Sequence, residues 1–214
     1  MNAEELETAL WVLGRGTGIV ALVLLTVSVV LGITVRSRKV LGPVPRFGVT
    51  DLHRTAGLTA SGLVTTHVLT LLLDPQAGLR LLDLVVPFVG GYRPFWLGLG
   101  TLALELVLLV AVTGLLRKRI GERAFRAAHL TSYALWPIAL GHSLGTGTDA
   151  GTLWMDGLAV CCAVAVLAAG WWRIGPDFGK PSRASAPARL QHPEALGAAD
   201  LDGRVPLVGE PRRQ

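Results

Sequence analysis

Charge is scarce in this sequence. Only 16% of its 214 residues are charged and 51% are hydrophobic, against roughly 25% charged in an ordinary soluble chain, which excludes a chain disordered throughout. Cysteine is almost missing as well. Cys161 and Cys162 are the only two and lie side by side in an apolar run, so they support no disulfide scaffold. No internal repeat of fixed period is visible. No secretory leader is expected at MNAEELETAL, which is acidic where such a signal would be basic. The net charge of +5 would fit nucleic acid. With a mean hydropathy of +0.51, the basic excess is read against a bilayer first.

What is present is long apolar runs. A bilayer-crossing helix needs roughly 20 mostly apolar residues, and five stretches qualify: about Leu10–Val35, Leu52–Leu73, Pro94–Leu116, Phe125–Leu144 and Leu153–Trp172. Residues 1–172 thus form the membrane domain. Residues 173–214 carry half of the 12 prolines and read as a disordered cytoplasmic tail. Of the 20 basic residues, 17 fall in the tail and in the loops after the first and third spans. The positive-inside rule then places the N-terminus outside and the C-terminus in the cytoplasm, as an odd number of spans requires. Trp11, Tyr92, Trp96 and Trp154 fall at the outer boundary, and Trp171 and Trp172 at the inner one, as interfacial belts.

Four of the five histidines lie inside spans: His53 and His67 in the second, His129 and His142 in the fourth. Ionisable residues at such depth usually face the bundle interior for a reason. The 14-residue separation of His53 and His67 is about 21 Å of helix and nearly one face. Gly57, Ala60 and Val64 lie between them, small enough to let a flat cofactor approach. The 13-residue separation of His129 and His142 leaves the rings about 140° apart on an ideal helix. The Trp136–Pro137 pair between them is expected to kink the helix and re-aim His142. Each depth then offers two imidazoles from facing helices, the axial set of a haem iron. Structural zinc is the competing metal, but it wants four converging ligands.

The sequence resembles the ferric-reductase-like transmembrane family of ferric reductases and NADPH oxidases. The resemblance rests on the paired spacings His53/His67 and His129/His142 and on LGRGTGIVALVLL, DLHRTAGL, YRPFWLGLGTLALELVLL and RAFRAAHLTSYALWPIALGHSLGTGTDA. It implies an all-α bundle of five transmembrane helices holding two stacked b-type haems, set in a plasma membrane. Electrons would pass from the cytoplasmic side to an outer acceptor such as ferric iron or oxygen. Full-length relatives carry FAD and NADPH domains after the last span. Residues 173–214 show no Gly-rich phosphate loop and no strand pattern, so the expected donor is a separate flavoprotein reductase or membrane quinol.

Arginine suits the anionic haem propionates. Arg15 and Arg93 are candidates at the outer level, and Arg54 and Arg126 at the inner, with interface anchoring as the alternative. Trp136, between the two ligands of its helix, is a candidate electron path or a packing residue. Glu105, near mid-membrane, is a proton carrier, a quinone contact or a buried hydrogen-bond partner. The Asp74–Arg93 segment is too short to span and is expected to lie as a lid on the outer face. Two other functions stay open. One is the quinol-linked haem subunit of a periplasmic methionine-sulfoxide reductase-like system, and the other a non-redox proton- or metal-binding membrane protein.

Overall fold

The computed structural model describes residues 2–37, 45–147 and 149–175. The expected tail lies almost wholly outside these residues. The protein is all-helical: α1 Ala3–Arg36, α2 Arg46–Leu73, α3 Pro94–Leu115, α4 Arg117–Ile120, α5 Glu122–Leu130, α6 Ser132–Thr146 and α7 Leu153–Ile174, with a 3-10 turn at Leu81–Leu84. Among the described residues four helices, α1, α2, α3 and α7, are long and apolar enough to cross a membrane. The chain is a multi-pass membrane protein.

Local sequence sets the ends. The side chain of Asn2 accepts from the Glu5 amide at 2.8 Å while the Glu5 carboxylate accepts from the Asn2 amide at 3.0 Å. This capping box starts α1 seven residues before its apolar run. Pro94 sits in the first turn of α3, where a missing amide costs nothing. Inside the helices hydroxyls bond back to the preceding turn, as Thr26 does to the Leu22 carbonyl at 2.9 Å and Thr113 to that of Leu109 at 2.6 Å. A threonine is thereby satisfied without water.

The expected fourth span is not one helix. It is interrupted at Thr131, between α5 and α6, and Pro137 lies inside α6. Pro137 has no amide to give the Tyr133 carbonyl and its ring crowds that group. The ladder fails just upstream of it. The hydroxyls of Thr131 and Ser132 take the carbonyls of Ala128 and His129, each at 2.7 Å. The interruption between the two histidines therefore stands six residues before Pro137, where a kink was expected.

The main helix pairs are α1 with α2 and α3 with α6, and α1 also packs on α6 and α7. Ala103 and Val107 of α3 and Leu135 of α6 form a buried cluster, with Leu25, Val64, Leu106, Ile138 and Ala139 packed around it. Lipid tails are as apolar as leucine, so hydrophobic transfer inserts these helices but does little to pair them. Small residues carry the pairing: Ala21, Ala56 and Ala60 are buried, and Ala60 is wholly inaccessible. Interhelical hydrogen bonds add roughly 0.6 kcal/mol each on average in this setting.

Candidate functional site: two histidine pairs

His53 and His67 project from α2 towards α1. The Nδ1–H of His67 donates to the Gly14 carbonyl at 2.6 Å, and that of His53 to the Ser28 carbonyl at 2.8 Å. In each case a glycine stands four residues further along α1. A Cβ on Gly18 would lie 2.9 Å from His67 Nδ1, and one on Gly32 would lie 3.1 Å from His53 Cε1. The antiparallel register explains the repetition, because Gly18 and Gly32 are 14 residues apart, as are His53 and His67.

The same arrangement recurs on α3. His142 Nδ1–H donates to the Trp96 carbonyl at 2.9 Å, with Thr146 Oγ1 at 3.3 Å as a second acceptor. A Cβ on Gly100, four residues on, would lie 2.5 Å from the His142 ring. Arg93 adopts φ 40°, unusual for a side chain with a Cβ, and donates to the Gly145 carbonyl at 2.6 Å. Gly145 in turn leaves room for the Trp96 ring. A carbonyl only accepts, so in all three imidazoles Nδ1 carries the proton and Nε2 is the nitrogen left with a lone pair.

At the opposite end of the bundle His53 and His129 face each other, with ring centroids 5.8 Å apart and planes at 89°. His129 also lies 5.3 Å from the Phe125 ring. Its buried Nδ1 has no hydrogen-bond partner among the described residues. His67, in the last two turns of α2, and His142, bonded to Trp96 at the start of α3, both lie at the end that carries the α2–α3 connection. Among the described residues no three His, Cys, Asp or Glu side chains form a metal-holding group; the histidines stand in twos.

The arginines fall out differently. The Arg15 guanidinium is paired with Asp149 and lies 4.8 Å from the Trp11 ring centroid and 5.9 Å from that of Trp154. It ties α1 to the α6–α7 connection, and Arg93 caps α6. Arg126 pairs with Glu122 one turn away at 2.8 Å, both exposed. Arg54 is exposed and has no partner among the described residues. Gly57 stands against α1, where a Cβ would meet Ser28 Oγ at an ordinary 3.5 Å. Trp136 is 8% exposed, and its Nε1–H donates to Thr26 Oγ1 of α1 at 2.9 Å. It is a packed strut between the two histidine levels. Glu105 is exposed on the outside of α3 rather than buried in the bundle.

The Asp74–Arg93 segment folds onto the start of α3. Thr101 Oγ1 donates to the Asp83 carbonyl at 2.6 Å, Arg80 Nη2 donates to the Asp83 carboxylate at 2.8 Å, and Phe88 fills the space over Gly98. Hydrogen bonds from the Arg80 side chain and backbone hold the Asp83 carboxyl below its ordinary range. Sequence reasoning missed Gly14, Gly18, Ser28, Gly32, Gly100 and Asp149. The glycines were visible, but their partners require knowing which helices pair and in what register.

Fold and site together define a polytopic helical membrane protein that holds paired histidines between its helices. The family model for the ferric reductase like transmembrane component matches residues 17–140, and the protein belongs to that family. The match takes in His53, His67 and His129 and stops two residues before His142. No curated protein and no solved structure matches the chain. Membership carries a membrane redox role in electron transfer, and oxidoreductase activity in the general sense.

Proposed function

We propose that the protein is a di-haem b-type cytochrome that carries electrons across a bacterial-type plasma membrane. The observation that carries this reading is the tethering of three imidazoles by Nδ1 to neighbouring backbone, which leaves Nε2 as the ligating atom. Metal-binding histidine characteristically gives its other nitrogen to such an acceptor. The donor set fits the group. His53 and His129 face each other with ring centroids 5.8 Å apart and would supply one imidazole each. Bound haem supplies reversible one-electron chemistry. His53 with His129 and His67 with His142 would hold two such groups, about 20 Å apart along the helices, and Trp136 stiffens the protein between them. Positive-inside topology makes the His53/His129 pair the cytoplasmic one. A separate flavoprotein or membrane quinol supplies electrons there, and an outer acceptor such as ferric iron or oxygen takes them from the His67/His142 end.

The test is a reduced-minus-oxidised spectrum and a haem assay on purified protein. Two b-type haems per chain are expected, falling to one in the H67A/H142A double variant. A haem-free protein, or full haem content in the double variant, overturns the reading.

A further inference from the structure

One device holds three of the four imidazoles: a carbonyl at one helix position accepts from Nδ1, and a glycine four residues on makes room for the ring. Gly14/Gly18 holds His67, Ser28/Gly32 holds His53 and Trp96/Gly100 holds His142. The fourth has no counterpart. On α3 the residue 14 beyond Gly100, the spacing that separates Gly18 from Gly32 and returns to nearly the same face, is Gly114. No ring occupies it: nothing lies within 4 Å of where its Cβ would stand. His129 Nδ1 is accordingly buried and unpartnered, and its residue sits in the last turn of α5, two positions before the interruption at Thr131.

A hydrogen bond at the distal nitrogen fixes a histidine ligand's tautomer and orientation and raises its basicity. His129 has none of this. We infer that His129 is the exchangeable ligand of the four, because it alone has no tether. A small neutral donor such as carbon monoxide displaces it from the iron it shares with His53. The His129 Nε2–iron bond breaks, the new ligand's bond forms, and no electron is transferred. The pair His67/His142, tethered on both sides, resists. This inference rests on the haem reading above.

The test is carbon monoxide titration of the haem-loaded, dithionite-reduced protein, read by the Soret band. One carbon monoxide per two haems is expected. The H67A/H142A variant should retain the reactive haem, and H53A/H129A the inert one. Two inert haems in the wild type, or reaction confined to the His67/His142 haem, each overturn the inference. Absence of haem altogether overturns the proposed function instead.

Discussion

Gly14, Gly16 and Gly18 follow one another along α1, yet they do different things. Gly16 has no atom within 4 Å of where a Cβ would stand, whereas Gly18 has the His67 ring at 2.9 Å. Gly16→Ala should therefore gain the usual helical preference for alanine, about 0.5–1 kcal/mol. Gly18→Ala and Gly100→Ala should lose haem and thermal stability, with Gly32→Ala milder because its nearest contact is 3.1 Å. Haem content and melting temperature in detergent rank the four. Equal behaviour of Gly16→Ala and Gly18→Ala would refute the role given to the imidazole contact. Trp136 gives a second ranking. Trp136→Phe removes the donor and leaves the Thr26 hydroxyl bonded to the Leu22 carbonyl, and should cost about 1 kcal/mol, whereas Thr26→Val strands a buried indole N–H and should cost about 1–3 kcal/mol. Melting of the two variants decides the order. The four histidines were legible in the sequence because a polar residue in an apolar run is conspicuous alone. Their tethers were not, since a backbone carbonyl has no letter and a glycine gains meaning only from what lies across from it.

At the scale of elements, four spans were legible because apolar length fixes a crossing helix. The fourth was read as one helix kinked at Trp136–Pro137, and it is broken earlier, at Thr131. Hydropathy does not record that Thr131 and Ser132 supply hydroxyls to the carbonyls that the break would otherwise orphan. The connection between α2 and α3 was expected as a lid, and its packing adds chemistry. Within Leu81–Tyr92 the single charge is Asp83, which is 3% exposed and paired with Arg80. Leu81, Leu82, Val85 and Val89 point outward, with Leu81 and Val85 each 69% exposed. An uncharged, apolar surface beside helix ends at headgroup depth belongs in the interface. An environment-sensitive dye on Val85→Cys should shift to the blue in liposomes and be quenched by a lipid-borne quencher; quenching from water alone rejects this placement. Acid should loosen the same segment. Because the Asp83 carboxyl titrates below its ordinary value of 3.8, its pairing is fully present above that pH and is lost as pH falls through the lowered value. Hydrogen exchange at Arg80–Leu84 should rise in that acid window, and Asp83→Asn should remove the dependence.

For the whole molecule, the decisive element is the one that is broken. Four long helices alone would leave both chain ends on one side of a membrane, so orientation depends on whether α5 and α6 together cross. The 15 residues of α6 reach about 22 Å, short of the roughly 30 Å hydrocarbon core. From Glu122 to Thr146 the pair has 25 residues, about 37 Å, which suffices. Packing agrees with a crossing. His142, near the end of α6, meets Trp96 at the start of α3, while α5 packs on α3 as well, so the pair runs along most of the length of α3. Charge gives the direction: the connection after α3 is basic, and the α2–α3 connection has its arginines, Arg80 and Arg93, tied down. In a chain with Cys161 and Cys162 replaced by alanine, three single cysteines separate the possibilities. Gln76→Cys and Leu153→Cys, both at exposed positions, should react with a membrane-impermeant maleimide on intact cells, and Lys118→Cys only after permeabilisation. Labelling of Gln76→Cys without Leu153→Cys would mean that α5 and α6 enter and leave by the same side. Labelling of Lys118→Cys alone would invert the whole bundle, and with it the assignment of the tethered pair to the outer face.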